Sequence, residues 1–386
     1  MQKMKFLDLF AGIGGFRIGM ESAGHECIGF CEIDKFARAS YKAIHDTKGE
    51  IELHDITTVS DDTIRGIGHV DVICGGFPCQ AFSIAGARRG FEDTRGTLFF
   101  EIARFASILK PRYLFLENVK GLLNHDRGNT FEVILSALDE LGYDVEWQVL
   151  NSKNFGVPQN RERVFIIGHL RGGSGRKVFP LSGDGAAITC EQPKINKVGN
   201  IRKKGKSQSG DVVSIDSSAP TLCSTTTQKD PLKVLIENEI KQFGVLQPNY
   251  NQSGVIYEID GISPTIRAYQ GGSLEPKIRV KEATSQGYAE AQIGDSVNLS
   301  HPNSKTRRGR VGKQVANTLL TGESQGVIEP DFRIRKLTPL ECWRLQGFPD
   351  WAFDKAQKVN SNSQLYKQAG NSVTVNVIAE IAKELQ

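Results

Sequence analysis

The chain of 386 residues predicts an α/β protein with a second, smaller β-rich domain, and three observations lead there. Up to about residue 170, short apolar runs alternate with helical patterns, the signature of a mostly parallel sheet covered on both faces. From about Arg171 the sequence turns Gly/Ser/Lys-rich and helix-poor, as in "NKVGNIRKKGKSQSG". Near the end, "KLTPLECWRLQGFP" and "GNSVTVNVIAEIAKEL" bring helical patterns back. A chain of this length also exceeds the ~250–300 residues at which a single core stops growing.

In the first region the apolar runs predict strands at Lys5 to Phe10, Glu26 to Cys31, Val70 to Cys74, Tyr113 to Glu117, Asp144 to Leu150 and Arg163 to Gly168. Helical spacing predicts helices near Gly15 to Ala23, Lys35 to His45, Thr97 to Leu109 and Asn129 to Leu141. Ligands of such sheets sit at the carboxyl ends of the strands, so residues just after each strand should cluster. Thr338 as N-cap, Pro339 at the first helical position and Glu341 three residues after the cap begin a helix that Gly347 and Pro349 stop. Val373, Val377, Ile381 and Leu385 follow at helical spacing, so the last segment should pack on something. The plan is a first domain over 1–179, a second over 180–336, and a return to the first over 337–386.

The second region contains a repeat. "QSGDVVSIDSSAPTL" and "QSGVIYEIDGISPTI" align without gaps, and a shorter copy, "RGRVGKQVANTLL", carries Thr318. Strand, turn, strand with a Thr-Leu/Ile element is the simplest reading, giving similar hairpins. Between Arg171 and Lys336 there are 24 Lys+Arg against 16 Asp+Glu, a net +8, and the remainder, 24 against 28, is −4. A basic middle in a slightly acidic remainder suits a segment that meets phosphate, the alternative being a solvated face.

Seven cysteines are odd in number and scattered, with no C-x-x-C pair, which argues against both a disulfide framework and a structural zinc site. Free thiols suit a reducing compartment. No run approaches the ~18 apolar residues of a membrane span, and "MQKMKFLDLF" leads directly into a strand, so the expected location is the cytoplasm and no membrane partner is expected.

"LDLFAGIGG" is a strand that breaks into a glycine turn at Gly12, Gly14 and Gly15 and enters a helix, which lets backbone come close to a ligand. Glu32, at the end of the second strand, is placed to accept hydrogen bonds from ribose hydroxyls. The turn lacks the G-x-G-x-x-G spacing of a pyrophosphate site, so an adenosine ligand without phosphate, such as S-adenosylmethionine, fits better than NAD. "GGFPCQAFSIAG" places Cys79 on the loop after the strand ending at Cys74. Such a cysteine is by default a small buried apolar residue, and its company decides otherwise.

That company is specific. "DLFAGIGGF", "GGFPCQAFS", "FLENVKGL", "PQNRERVFIIG", "RKLTPLECWRLQGFP" and "QAGNSV" occur in the order that marks the DNA cytosine-5 methyltransferases, and over residues 5 to 170 and 335 to 386 the chain resembles a bacterial or phage member. The resemblance implies a Rossmann-like methyltransferase sheet using S-adenosylmethionine, leaving S-adenosylhomocysteine, with no metal, and a target recognition domain between the matched stretches. It implies Cys79 as nucleophile toward cytosine C6, since C5 is too poor a nucleophile to take a methyl group unaided and a thiolate can both add and leave. Glu117 of "ENV" corresponds to the carboxyl group that serves N3. Arg163 is implied to hold that glutamate and Arg161 to touch the base or the cysteine region; the two alternate along an extended segment and so share a face.

For the cofactor the resemblance implies Phe10, Gly12, Gly14, Glu32 at the ribose, Asp55 and Ile56 at the adenine, Phe77, Leu98, and Asn371 and Val373 near the methionine end. A stacked cytosine hides C5 and C6, so it must be extruded into the pocket at a cost of a few kcal/mol. The loop after Cys79 supplies Gln80, Ser83, Arg88, Arg89 and Arg95 as candidates for DNA contact, and the second region supplies Gln208, Thr221, Gln252, Thr265 and Thr318, with the copies equivalent at this level. The implied partner is double-stranded DNA, met by a monomer, with a cognate restriction endonuclease acting separately or a solitary phage enzyme as the two settings. Three other readings compete: a tRNA methyltransferase, a DNA-binding repressor with a relict catalytic fold, and an NAD oxidoreductase. The long repeat-bearing insert, the intact Cys79, Glu117 and Arg163, and the incomplete glycine fingerprint weigh against them in that order.

Overall fold

A computed structural model describes residues 3–78, 98–173, 176–181, 197–200, 211–213, 242–245, 255–257, 278–301, 304–322, 324–330 and 333–385. The chain divides into two compact units, one of Met1–Gly185, Val315–Ser324 and Leu337–Gln386, the other of Ala186–Gln314 and Gln325–Lys336. The first unit takes the return segment expected from the sequence and also Val315–Ser324, which the sequence placed in the second region.

Strands and helices alternate in the first unit: β1 (Lys5–Leu9), α1 (Gly15–Ser22), β2 (Glu26–Cys31), α2 (Lys35–Ile44), β3 (Ile51–Leu53), α3 (Asp61–Gly66), β4 (Val72–Gly76), α4 (Leu98–Leu109), β5 (Tyr113–Val119), α5 (Asn129–Glu140), β6 (Tyr143–Asn151), β7 (Gln159–Asn160) and β8 (Glu162–Leu170). Seven of the strands form one sheet in the order β3-β2-β1-β4-β5-β8-β6. The run from β3 to β5 is parallel, whereas β8 is antiparallel to both β5 and β6. Leu7, Leu9, Ile73, Leu114, Leu116, Val164 and Ile166 pack on one face, and Phe6, Val72, Cys74, Phe115, Phe165 and Ile167 on the other, so the alternation along each strand fills two cores. Most expected boundaries shift by one or two residues, and two differences stand out. The strand read as Val70 to Cys74 runs two residues later at each end, and β3 and α3 are too short for an apolar pattern to show.

In the second unit the strands are β9 (Lys197–Asn200), β10 (Asp211–Val213), β11 (Gln242–Val245), β12 (Val255–Tyr257), β13 (Ile278–Lys281), β14 (Tyr288–Ala291), β15 (Ser296–Asn298), β16 (Val311–Gly312), β18 (Gln325–Ile328) and β19 (Ile334–Lys336), with β17 (Ala316–Asn317) in the first unit. β10 pairs with β9 and β12 with β11, both antiparallel, so the strand at the front of each full repeat copy pairs with a strand before it. The expected hairpin within the third copy is not formed. Val311–Gly312 pairs with β15, while Ala316–Asn317 pairs in parallel with Gln159–Asn160, because Leu319 is drawn into the core around Trp343. Ile278, Val280, Ala291, Val297 and Ile328 make the second unit's own small core.

The chain then forms α6 (Pro339–Leu345), α7 (Asp350–Ala356), α8 (Asn362–Asn371) and α9 (Val375–Glu384). The capping box is present: the Thr338 hydroxyl accepts from Glu341 N and the Glu341 carboxylate accepts from Thr338 N at 2.7 Å. Val377, Ile378, Ile381 and Leu385 bury against Phe6, Phe16 and Met20, which is what the terminal pattern packs on.

Candidate active site

The strand ends converge on one cleft of about 550 Å3. Phe10 to Gly12 follow β1, Glu32 follows β2, Asp55 and Ile56 follow β3, and Gly76 to Pro78 end β4, all in the lining. The reversed strand β8 completes it. Because it runs against β5, its beginning rather than its end lies at this edge, so Arg161 and Arg163 reach the carboxyl ends of β4 and β5.

Glu117 is in register with Gly76 on β4, and Arg163 faces Val119 on β5, which makes Glu117 and Arg163 a diagonal pair on one face. Arg163 Nε stands 3.0 Å from Glu117 Oε1. Glu117 is buried, and burial pushes its carboxyl group above the usual carboxylate range, opposed by the guanidinium groups of Arg163 and Arg161. Arg161 is 3% exposed; its Nη2 donates to Ser372 O at 2.7 Å and Gly370 O at 3.2 Å, and its Nε and Nη1 are buried without a partner among the described residues. Burial, with repulsion from Arg163, pulls its pKa down to about 9.

At the other end the Glu32 carboxylate accepts from Gly12 N at 2.8 Å through one oxygen and from Asp34 N at 2.7 Å through the other. Burial pushes its pKa up, and those two amides oppose the push. Gly12 has φ +57 with open space where a Cβ would stand, so its backbone is free to meet a ligand. Gly14 is the exception among the expected cofactor residues. It caps α1 at φ +85 and is absent from the lining, and a side chain there would strike His45, so it is a packing glycine. Asp55 lines the cleft and caps a short 3-10 turn, accepting from Thr57 N at 3.0 Å. Leu98, Phe77, Asn371 and Val373 also line it.

The expected residues Cys79, Gln80, Ser83, Arg88, Arg89, Arg95, Gln208, Thr221, Gln252 and Thr265 lie outside the described residues; Cys79 follows Pro78, which lines the cleft. Thr318 is in the first unit with its hydroxyl donating to Asn160 O at 2.8 Å. Cys27, Cys31, Cys74 and Cys342 are buried free thiols, and burial pushes Cys27, Cys31 and Cys342 up to about 12. Cys31 lines the cleft, yet its thiol donates to His54 O and remains protonated near neutrality.

Sequence reasoning missed several lining residues. Asn118 is 2% exposed and donates to Phe77 O at 2.8 Å, tying β5 to the end of β4; its place beside Glu117 in "ENV" was the available signal. Lys367 and Asp34, a 2.7 Å ion pair in the lining, are 333 residues apart and carry no local signal. Among the described residues there is no cluster of metal-binding side chains, and no helix is long and apolar enough to cross a membrane.

A parallel sheet with one reversed strand, a glycine turn after β1 and an acid after β2 make this unit a Rossmann-like methyltransferase fold with a second, β-rich unit. The chain belongs to the C-5 cytosine-specific DNA methylase family, whose model matches residues 4–386. The orphan methyltransferase M.SPRI of Bacillus phage SPR is 34% identical over 456 residues, covering 100% of this chain and 98% of its own. The type II methyltransferase M.HhaI of Haemophilus parahaemolyticus is 36% identical over 387 residues, covering 98% and 93%. Among solved structures, the Entamoeba histolytica methyltransferase EhMeth matches with a TM-score of 0.52 at 16% identity, over 100% of this chain and 98% of that one, a likeness of fold.

Proposed function

We propose that the protein transfers a methyl group from S-adenosylmethionine to C5 of a cytosine extruded from duplex DNA, through a covalent bond between Cys79 and C6. The observation that carries this reading is that the Glu117–Arg163 pair and the Glu32, Asp55 and Gly12 edge line one cleft. The cofactor fits that edge. Each Glu32 oxygen accepts one backbone amide, which leaves lone pairs for two ribose hydroxyls. Of the cations at that edge, Lys367 is already paired with Asp34 and Arg38 donates to the Glu32 and Ile33 carbonyls, so the site suits an adenosine without phosphate. When bound, S-adenosylmethionine supplies an electrophilic methyl on a sulfonium.

The chain's own residues do the rest. The Cys79 thiolate adds to C6 while Glu117, whose carboxyl group burial biases toward its protonated form, gives a proton to N3, so the electron pair moves to C5. After C5 has taken the methyl, a base removes the C5 proton, the electrons return and expel the thiolate, and N3 gives its proton back. Arg163 fixes the Glu117 carboxyl group, and Arg161 offers Nε and Nη1 to the base. Cys31 is no rival nucleophile, because its thiol is buried and protonated. The region 180–336, most of which is the second unit, reads the sequence, its basic excess meeting phosphate and its repeats carrying the base contacts. Gln80, Ser83, Arg88, Arg89 and Arg95 are the further candidates for contact with the DNA.

Bisulfite sequencing of DNA from cells expressing the protein gives the target, and duplexes with 5-fluorocytosine at that target should then trap an adduct, since fluorine is not eliminated from C5. The expected trapped peptide contains Cys79; a peptide mapping to another cysteine, or no adduct from an active preparation, overturns the mechanism.

A further inference from the structure

Helix α6, from the segment "KLTPLECWRLQGFP", is followed by Gln346, a side chain with no solvent exposure that the steps above do not use. Its Nε2 donates to Ala369 O at 2.7 Å and its Oε1 accepts from Thr374 Oγ1 at 2.9 Å. Its backbone carbonyl accepts from Val375 N at 2.9 Å. Thr374 Oγ1 also lies 2.8 Å from Ser152 Oγ; with the threonine proton on Gln346, the single serine proton is shared between Thr374 Oγ1 and Arg161 O, the latter 3.3 Å away. Ser152 N donates to Arg161 O at 3.0 Å, and Arg161 Nη2 returns to Gly370 O and Ser372 O. The result is a closed ring through Gln346, Thr374, Ser152 and Arg161, each 3% exposed or less.

The ring sits where a helix ends. The last carbonyls of α8 have no partner within the helix, and Ala369 O and Gly370 O take theirs from Gln346 and Arg161. The negative end of α8 thereby faces the Arg161 guanidinium. Residues 370–373, which both side chains hold, are the stretch that places Gly370, Asn371, Ser372 and Val373 in the cleft lining. A buried amide and hydroxyl are a costly way to fill space, since apolar groups of the same shape pack as well. What they add is direction: each carbonyl is fixed by a donor at a set angle.

We propose that Gln346 and Thr374 are positioning residues for methyl transfer, fixing the 370–373 backbone so that it presents the Arg161 head to the base and the Asn371–Val373 edge to the cofactor. This rests on the reading of the cleft given above, and it couples the two ends of that cleft through one buried ring. Disturbing either residue should move both ends together.

The test uses the full chain with Gln346→Met, Thr374→Val and Thr374→Ser. Three quantities are measured: the S-adenosylhomocysteine dissociation constant by calorimetry, the single-turnover rate constant on DNA at saturating S-adenosylmethionine, and the unfolding temperature. Gln346→Met and Thr374→Val should each weaken binding and slow transfer by about tenfold, the ~1.4 kcal/mol equivalent of one lost buried hydrogen bond. Thr374→Ser, which keeps the hydroxyl, should bring both back to within about twofold of wild type. A folded Thr374→Val with both values within about twofold of wild type overturns the proposal, as does a loss that Thr374→Ser leaves unrepaired. If Gln346→Met does not fold, the two Thr374 variants decide alone. Wild-type protein that binds no S-adenosylhomocysteine overturns the cofactor reading and this proposal with it, whereas wild type that binds beside indifferent variants overturns the proposal only.

Discussion

Two glutamates line the same cleft, and burial pushes both carboxyl groups upward, yet what opposes the push differs. Glu117 is countered by cations, Arg163 at 3.0 Å and Arg161 beyond it, while Glu32 is countered by two backbone amides. A cation can move or be shared with an incoming base, which in the proposed mechanism lets Glu117 exchange a proton. Amides at the ends of β1 and β2 are fixed by the sheet, so Glu32 is held as a stationary acceptor. Under the proposed mechanism, one end of the cleft exchanges a proton and the other holds a ligand still.

The severest break in that comparison is Glu117→Gln, which keeps the shape and removes the proton donor. The expected loss in the single-turnover rate is on the order of 10^2- to 10^4-fold, with S-adenosylhomocysteine affinity nearly unchanged. A rate within about tenfold of wild type would show that N3 is served by another group. Arg163→Gln comes next. It removes a cation that lowers the Glu117 pKa, so that pKa should rise further. Because the proposed mechanism needs Glu117 protonated, activity should fall as pH rises through its pKa, and in the variant this alkaline limb should move to higher pH. The maximal rate should drop on the order of 10^2-fold from lost orientation. A limb that moved to lower pH in the pH–rate profile would contradict the assignment.

At the cofactor end, Glu32→Gln should raise the S-adenosylhomocysteine dissociation constant about tenfold, through weaker acceptance from the ribose, with transfer at saturating cofactor close to wild type. Calorimetry beside single-turnover kinetics separates the two; a loss of rate without a loss of affinity would mean that the two ends do not divide the work as argued.

How much of this could be read beforehand follows from which signals are local. Glu117, Arg163 and the Gly12 turn sit in short motifs at strand ends, and strands of a parallel sheet bring their ends together whatever lies between them. The reversal of β8 has no local signal, since an apolar run reads the same in either direction, yet that reversal carries Arg161 and Arg163 to the site. The partners of Arg161 lie 209 and 211 residues away, and Gln346 looks like an ordinary helix-end residue until the fold sets it against Ala369. The third repeat copy resembled the others in its Thr-Leu element, but burial of Leu319 beside Trp343 prevailed over local pattern and set Thr318 on Asn160 O. The family resemblance placed Gly14 at the cofactor, whereas His45, distant in the chain, is what requires the missing side chain.

The smallest expected effect is thermodynamic, and its sign distinguishes Glu32 from an ordinary surface acid. Its folded pKa lies above the value of 4.5 expected for a free glutamate, so between those two values the folded state binds more protons than the unfolded chain. Stability therefore falls as pH rises through that window, and the contribution is fully present only below about pH 4.5. Glu32→Gln removes this dependence, though its amide can accept from only one of Gly12 N and Asp34 N, which costs about 1 kcal/mol. Urea unfolding at both ends of the window should show wild type losing more stability than the variant on going to higher pH. If wild type instead gained stability relative to the variant, the two amides would outweigh burial, and Glu32 would be an anion at every pH at which the enzyme works.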